Sequence, residues 1–328
     1  MKIKMDLVFS GPFKEAFEGY VLYKEALGVK LDNENRKLRS LVRMNEFFNA
    51  FGQHEIILTE EMVMAYIERN PGVSSSTKHT YECDIRQFAI YLRNQGYSEV
   101  HVLPEKHSRI TTDFVPYIYS KAEIGRIFSA TDRLENLPNN PHFRIFFQTI
   151  LRLLYCTGLR ISEALELKLE SVDFENNLLI VNSGKGNVSR LVPFNDYLRK
   201  WLIKYKQEAV RPTDTYFFES PQGGKRNRVG FRHTFSGVIL PMAQIHRKPD
   251  NSGPRVHDLR HTFACHSLDQ MVRSGMDAFC ALPYLSTYMG HKGIESTEIY
   301  LRLTADHFQE ITEAGHYIFA ESVGDPDE

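Results

Sequence analysis

The stretch FRIFFQTILRLLYCTGLRISEAL, residues 143–165, decides how the second half of the chain is built. Phe146, Phe147, Ile150, Leu151, Leu153 and Leu154 give its first part an apolar majority, which predicts a helix over 143–157 buried on most sides. Gly158 is the residue type that ends helices in a left-handed turn. A second helix is expected from Ile161 to Leu169, with Arg160 at its start. A guanidinium beside a helix N-terminus adds to the positive field there, which suits a phosphate. Glu163, three residues on, is placed to hold that arginine. By itself the pair reads more readily as an ordinary surface ion pair.

Beyond this stretch, Leu178–Val181 and Arg190–Phe194 are short runs of β character. They flank Ser183-Gly184-Lys185-Gly186-Asn187, a hairpin loop with two glycines. Lys185 at its tip can reach a backbone phosphate or a leaving oxygen, although a lone turn lysine is usually just solvated. The loop lacks the glycine and hydroxyl spacing of a Walker motif. Everything after the second run reads as helix. His257-Asp258-Leu259-Arg260-His261 puts His257 and Arg260 three apart, on one helix face. His257 and His261 also have the i, i+4 spacing of a zinc site, but Asp258 stands where a glutamate belongs and no third ligand follows. Gly290-His291 ends a further helix, and Tyr300 lies nine residues on. Beside Ile299 and Leu301, Tyr300 has core packing as its default reading. Residues 305–319 form a plausible amphipathic helix.

Upstream, residues 13–27, 35–51, 59–70 and 74–96 carry helical spacing and stop at Gly28, Gly52, Asn70-Pro71-Gly72 and Gly96. Four helices with short connections predict a small bundle over residues 1–100. Residues 101–118, with Pro104 and Pro116, read as a linker. The capping box Ser120-Lys121-Ala122-Glu123 opens a second domain over 119–320, and 321–328 reads as a flexible acidic tail. The expected class is mainly α with a small β-sheet: a helical bundle plus an α+β domain.

Bulk composition narrows the class without choosing a function. At 328 residues, with 42% hydrophobic and 25% charged residues, the chain suits two globular domains with no disulfide dependence. No apolar run reaches membrane-spanning length, and the opening one is too short for a signal peptide. Cys83, Cys156, Cys265 and Cys280 form no C-x-x-C pair and read as small buried residues in a reducing cytosol. A net charge of −1 argues against nucleic acid, but residues 180–260 hold 15 Lys/Arg against 6 Asp/Glu, and residues from Glu310 on hold 6 acids and no Lys or Arg. Whole-chain neutrality therefore conceals a basic region.

Weak signals become a constellation when taken in order: Arg160, Lys185, His257-x-x-Arg260, Gly290-His291 and Tyr300. Forked guanidiniums can clamp two phosphate oxygens, a positioned acid can protonate a leaving oxygen, and a phenol can attack once its proton is taken. At Leu154–Leu165, Gly184-Lys185-Gly186, His257–Ala264, Met289-Gly290-His291-Lys292 and Thr297–Tyr300 the chain resembles the tyrosine recombinase, or phage integrase, family. The likeness runs from Ser120 to near Phe319, and residues 77–96 loosely resemble the last helix of that family's SAM-like core-binding domain.

That resemblance implies a two-domain clamp around DNA. It implies that Tyr300 forms a 3′-phosphotyrosyl link and frees a 5′-hydroxyl, with strands exchanged through a Holliday junction. Arg160 and Arg260 would stabilise the transition state, Lys185 protonate the leaving oxygen, His257 assist proton transfer, His291 hydrogen-bond the phosphate and Glu163 support the site. No cofactor or metal is implied. The partners would be double-stranded DNA, three further copies of the chain joined through residues 305–319, and accessory proteins, in the cytoplasm at the nucleoid. An integrase or transposon role is favoured over a Xer-like dimer resolvase. A type IB topoisomerase, a DNA-binding protein without catalysis and a zinc hydrolase are the competing readings. Two departures stand out: a longer stretch between Arg260 and His291, with the extra residues within 270–285, and the near-neutral charge.

Overall fold

The computed structural model describes residues 9–29, 36–105, 115–182, 189–247, 253–290 and 300. Lys185, His291, residues 305–319 and the acidic tail lie outside the described residues. Among the described residues no helix is long and apolar enough to cross a membrane. The chain divides into two compact units, 1–114 and 115–328.

In the first unit, α1 (Lys14–Ala26), α2 (Arg36–Asn49), α3 (Glu60–Glu68) and α4 (Ser75–Asn94) enclose one core. Thr59 and Ser74 start α3 and α4 by accepting backbone N–H bonds from Met62 and Thr77. The core is aromatic at its centre. Phe17 stacks on Phe88 with ring centroids 4.1 Å apart, and Phe13 and Phe48 meet at 5.3 Å. Each buried ring of this kind stabilises by roughly 1.5–3 kcal/mol.

The second unit opens on Val115, so residues 115–118, which periodicity assigned to a linker, count with it. Tyr119 shows why. It is fully buried, its N–H donates to Thr262 Oγ1 at 3.0 Å, and its hydroxyl donates to the Arg255 carbonyl at 3.1 Å. The Ser120–Glu123 capping box forms and starts α5 (Lys121–Asp132). Then α6 (Phe143–Thr157) runs through the core, burying even Gln148, Thr149 and Arg152, and ends at Gly158 with φ +61°.

The next helix, α7 (Ile161–Leu165), is shorter than its hydrophobic pattern predicted. The backbone beyond it finds other partners: Phe217 N–H donates to the Leu167 carbonyl at 2.8 Å, and Leu169 N–H to that of Thr215 at 3.2 Å. The same pairing corrects the expectation that the chain is helical throughout after 194. Residues 210–227 are extended and turning, organised by Glu219, whose carboxylate accepts the N–H groups of Thr215, Tyr216 and Gly224.

Strands β1 (Val172–Asp173), β2 (Leu178–Asn182) and β3 (Ser189–Pro193) form an antiparallel sheet in the order β1-β2-β3. Leu179 pairs Val192 and Val181 pairs Arg190. Alternation therefore puts Arg190 on the same face of β3 as the buried Val192.

Helix α8 (Asp196–Ala209) packs across α6, and α9 (Arg228–Thr234) passes through a π-helical turn at Phe235–Ile239 into α10 (Leu240–Met242). Then α11 (Asp258–Arg273) and α12 (Ala278–Met289) pair as a hairpin. Residues 270–285, the longer stretch noted in the sequence, build the last turn of α11, the connecting turn and most of α12. All four cysteines lie on helices as free thiols. Only Cys265 is fully buried, while Cys280 is exposed, contrary to the reading of all four as buried.

Candidate active site

Three ends of secondary structure converge here: the start of α7, the start of α11 and the end of α12. Arg160 is the residue before α7. Glu163 Oε2 accepts the Arg160 N–H at 2.9 Å, and Glu163 Oε1 accepts its guanidinium at 2.8 Å. Glu163 is thus both the cap of the helix and the anchor of the arginine.

Arg260, on the first turn of α11, is only 3% exposed. Its guanidinium donates to the carbonyl of Gly158 at 2.7 Å and to that of Met289 at 2.6 Å. These acceptors sit at the ends of α6 and α12, where left-handed glycines, Gly158 and Gly290 (φ +65°), turn the chain. Helix C-termini leave carbonyls without intrahelical partners and carry partial negative charge. Arg260 satisfies one such carbonyl from each helix. No side-chain carboxylate is among these acceptors, so its charge remains available to an anion.

His257 immediately precedes α11. Burial, followed by the charges of Arg260, Arg160 and Arg255, lowers its pKa to about 4, so the imidazole is neutral at pH 7. The His261 ring stands between His257, edge-on at 5.0 Å, and Tyr300, tilted at 5.7 Å. Tyr300 is 2% exposed and packs among Ala264, Cys265, Leu268, Leu285 and Met289. Burial pushes its phenol up to about 12, against the pull of Arg260 and Arg160. Both the core reading and the chemical reading of this tyrosine therefore describe its surroundings. Burial also lowers Arg260, with help from Arg160, to about 10, which leaves it protonated at neutral pH.

Arg160, Glu163, His257, Arg260 and Tyr300 are thus brought together. Lys185 and His291 lie outside the described residues. Among the described residues no group of three His, Cys, Asp or Glu side chains is placed to hold a metal, so His257 and His261 gain no third ligand.

The sequence reading missed Arg190. Its guanidinium donates to both Glu163 oxygens, at 3.1 and 2.8 Å, and to the Tyr288 carbonyl at 3.1 Å. A signal was present: an arginine two residues from Val192 on an alternating strand faces inward and needs an acidic partner. Held by Arg190 and by Arg160, the Glu163 carboxyl stays down at about 2 although burial alone would raise it.

A two-arginine cluster with a neutral imidazole and a buried phenol can bind a phosphodiester, neutralise charge on its non-bridging oxygens and receive a proton from the attacking hydroxyl. Comparison with known proteins agrees with that chemistry. The profile of the phage integrase family matches residues 120–307. A Sinorhizobium fredii protein named as an integrase/recombinase is 31% identical over 300 residues, covering 88% of this chain and 92% of that protein. Tyrosine recombinase XerC of Oceanobacillus iheyensis is 30% identical, over 71% of this chain and 72% of its own. Two solved structures share the fold, both with a TM-score of 0.62. One is the XerH recombinase bound to its palindromic difH substrate after cleavage (18% identity, 84% of this chain, 76% of that one). The other is the Tn1549 transposon integrase with transposon right end DNA (16% identity, 87% and 94%).

Proposed function

The chain belongs to the phage integrase family of tyrosine recombinases, and we propose that it is a site-specific DNA recombinase whose nucleophile is Tyr300. The observation that carries this reading is the convergence of Arg160, held by Glu163, with Arg260, His257 and Tyr300. In cleavage, the Tyr300 oxygen attacks the scissile phosphorus and the bond to the 5′-oxygen breaks. The products are a 3′-phosphotyrosyl link and a free 5′-hydroxyl. Arg160 and Arg260 bind the non-bridging oxygens, and neutral His257 assists removal of the phenolic proton. Lys185 supplies the proton to the 5′-oxygen and His291 hydrogen-bonds the phosphate. Rejoining is the reverse attack, so the energy of the broken bond is kept and no nucleotide cofactor is used.

The first unit, residues 1–114, serves as the core-binding domain and the second as the catalytic domain, the two closing as a clamp on double-stranded DNA. Four chains assemble on two duplexes, with residues 305–319 of each docked on a neighbour, and exchange strands through a Holliday junction. Accessory proteins direct the outcome. This work takes place in the cytoplasm, on the nucleoid. Likeness over most of its length to an integrase/recombinase supports a mobile-element role, and the likeness to XerC supports the alternative of a Xer-like dimer resolvase with the same chemistry.

The test is covalent trapping on nicked duplexes from the ends of the gene's own locus. Wild type should yield an SDS-resistant protein–DNA adduct, and Tyr300→Phe should bind the same DNA and yield none. An adduct from Y300F would remove Tyr300 from the mechanism. Tight specific binding by wild type without any adduct would instead make the protein a DNA binder.

A further inference from the structure

Arg190 is the inward-facing residue of β3, and its three hydrogen bonds join three separate elements. The guanidinium belongs to the hairpin β2–β3, the Glu163 carboxylate to the first turn of α7, and the Tyr288 carbonyl to the last turn of α12. The Arg190 side chain is 13% exposed and that of Glu163 8%, whereas that of Arg160 is 37% exposed. Of the two arginines on this carboxylate, one is enclosed and the other reaches solvent. Arg190 commits Nε, Nη1 and Nη2 to these three bonds, whereas Arg160 donates to Glu163 through Nη1 and keeps the rest of its fork for a bound phosphodiester.

The charge balance gives the enclosed arginine its purpose. Glu163 must anchor Arg160, yet a carboxylate that anchors an arginine also cancels the charge the phosphate needs. Arg190 supplies a second counter-charge to the same two oxygens. Arg160, Arg190 and Arg260 against the single Glu163 leave two net positive charges, enough for the two charged oxygens of a developing transition state. Without Arg190, one net positive charge would remain, and both Glu163 oxygens would be open to the Arg160 fork. Bidentate pairing is the favoured arginine–carboxylate geometry, so Arg160 would turn inward.

We propose that Arg190 is a positioning residue for strand cleavage. It shares Glu163 so that Arg160 meets the carboxylate through Nη1 alone and keeps its other donors outward, and it ties the end of α12 to the β2–β3 hairpin. This inference rests on the recombinase reading and assigns to that reaction an arginine outside the motif residues.

The test compares wild type, Arg190→Gln, Arg190→Lys, Glu163→Gln and the R190Q/E163Q double variant in single-turnover cleavage. Each is measured on a scissile phosphate and on a scissile methylphosphonate, which has lost one charged oxygen. R190Q should cleave the phosphate at least about tenfold more slowly, and R190K should fall between it and wild type. The double variant restores the net charge of two and should be faster than R190Q. The R190Q deficit should shrink on methylphosphonate, a change that a merely structural role would not produce. Wild-type cleavage by R190Q overturns the inference. So does a double variant no faster than R190Q combined with an unchanged deficit on methylphosphonate. In either case the wild-type adduct leaves the recombinase reading standing. If wild type itself gives no adduct, the recombinase reading fails, and the crystal structure of R190K or R190Q decides the positioning role alone. Arg160 turned onto both Glu163 oxygens in R190Q supports it, and an unmoved Arg160 refutes it.

Discussion

Gly158→Ala should be costly twice over, once in stability and once in catalysis. The residue has φ +61°, where a side chain costs about 1–2 kcal/mol. A Cβ added there would lie 2.3 Å from Phe263 Cδ1, with Cε1 and Cγ at 2.9 and 3.0 Å. Something must move. Phe263 is stacked on Tyr288 at 5.5 Å, so moving its ring disturbs that stack, and overpacking of this kind costs about 1–3 kcal/mol. The expected loss is therefore about 2–5 kcal/mol. Gly290→Ala is the comparison. Its φ is +65°, but the nearest atoms to an added Cβ are Arg190 Cδ and Nη1 at 3.3 Å, parts of a flexible side chain, so about 1–2 kcal/mol should suffice. Catalysis should suffer too, because the Gly158 carbonyl holds Arg260 at 2.7 Å. A charge-assisted bond weakened by about 1.5 kcal/mol corresponds to roughly tenfold slower cleavage. The single tryptophan, Trp201, packs against the core of the second unit, so its fluorescence in urea reports that unit. A G158A protein within about 0.5 kcal/mol of wild type and cleaving at the wild-type rate would refute this account of the α6–α11 contact.

Other expectations follow from the same contacts. Arg160→Ala and Arg260→Ala should each slow covalent adduct formation by about 10² or more, the scale for loss of a preorganised donor, and near-normal rates in both would make the arginines structural. The Glu163 carboxyl is held at about 2 instead of 4.5, which corresponds to about 3 kcal/mol. Because the folded value is the lower one, this stability is complete above pH 4.5 and lost as pH falls through about 2; Glu163→Gln should flatten that part of the acid-unfolding curve, and an unchanged curve would contradict it. Thiol reagents should label exposed Cys280 in the native protein and Cys265 only after unfolding, as peptide mapping would show.

Much of this arrangement was legible in residues 143–165, because helix ends are written in single residues. An apolar majority fixed α6 as buried, Gly158 marked its end, and the Ser120–Glu123 box marked the start of α5. Tertiary pairing was less legible. The pattern 161–169 is helical in hydrophobicity, yet α7 stops at Leu165 because residues 167–169 bond to the extended residues 215–217, nearly fifty positions away. Local periodicity carries no term for that partner. Tyr117 was read as linker for a related reason: the neighbouring Pro116 signals extended backbone but does not say what it packs against.

The site shows why the order of the motifs matters more than any member. Arg260 is useful only if carbonyls from two helix ends reach its guanidinium, which requires a left-handed turn after α6 and another after α12. The Gly158-Leu159-Arg160 and Met289-Gly290 patterns are therefore one device used twice: a left-handed glycine turns the chain, and a carbonyl at that turn, of Gly158 itself or of Met289, holds Arg260. Arg190 escaped notice because its role is not local. Its fork bridges Glu163 and Tyr288, residues 27 and 98 positions away. A strand arginine beside a buried valine shows that an acid must be near. Only the fold shows that the acid is the one already holding Arg160, and hence that two guanidiniums share one carboxylate.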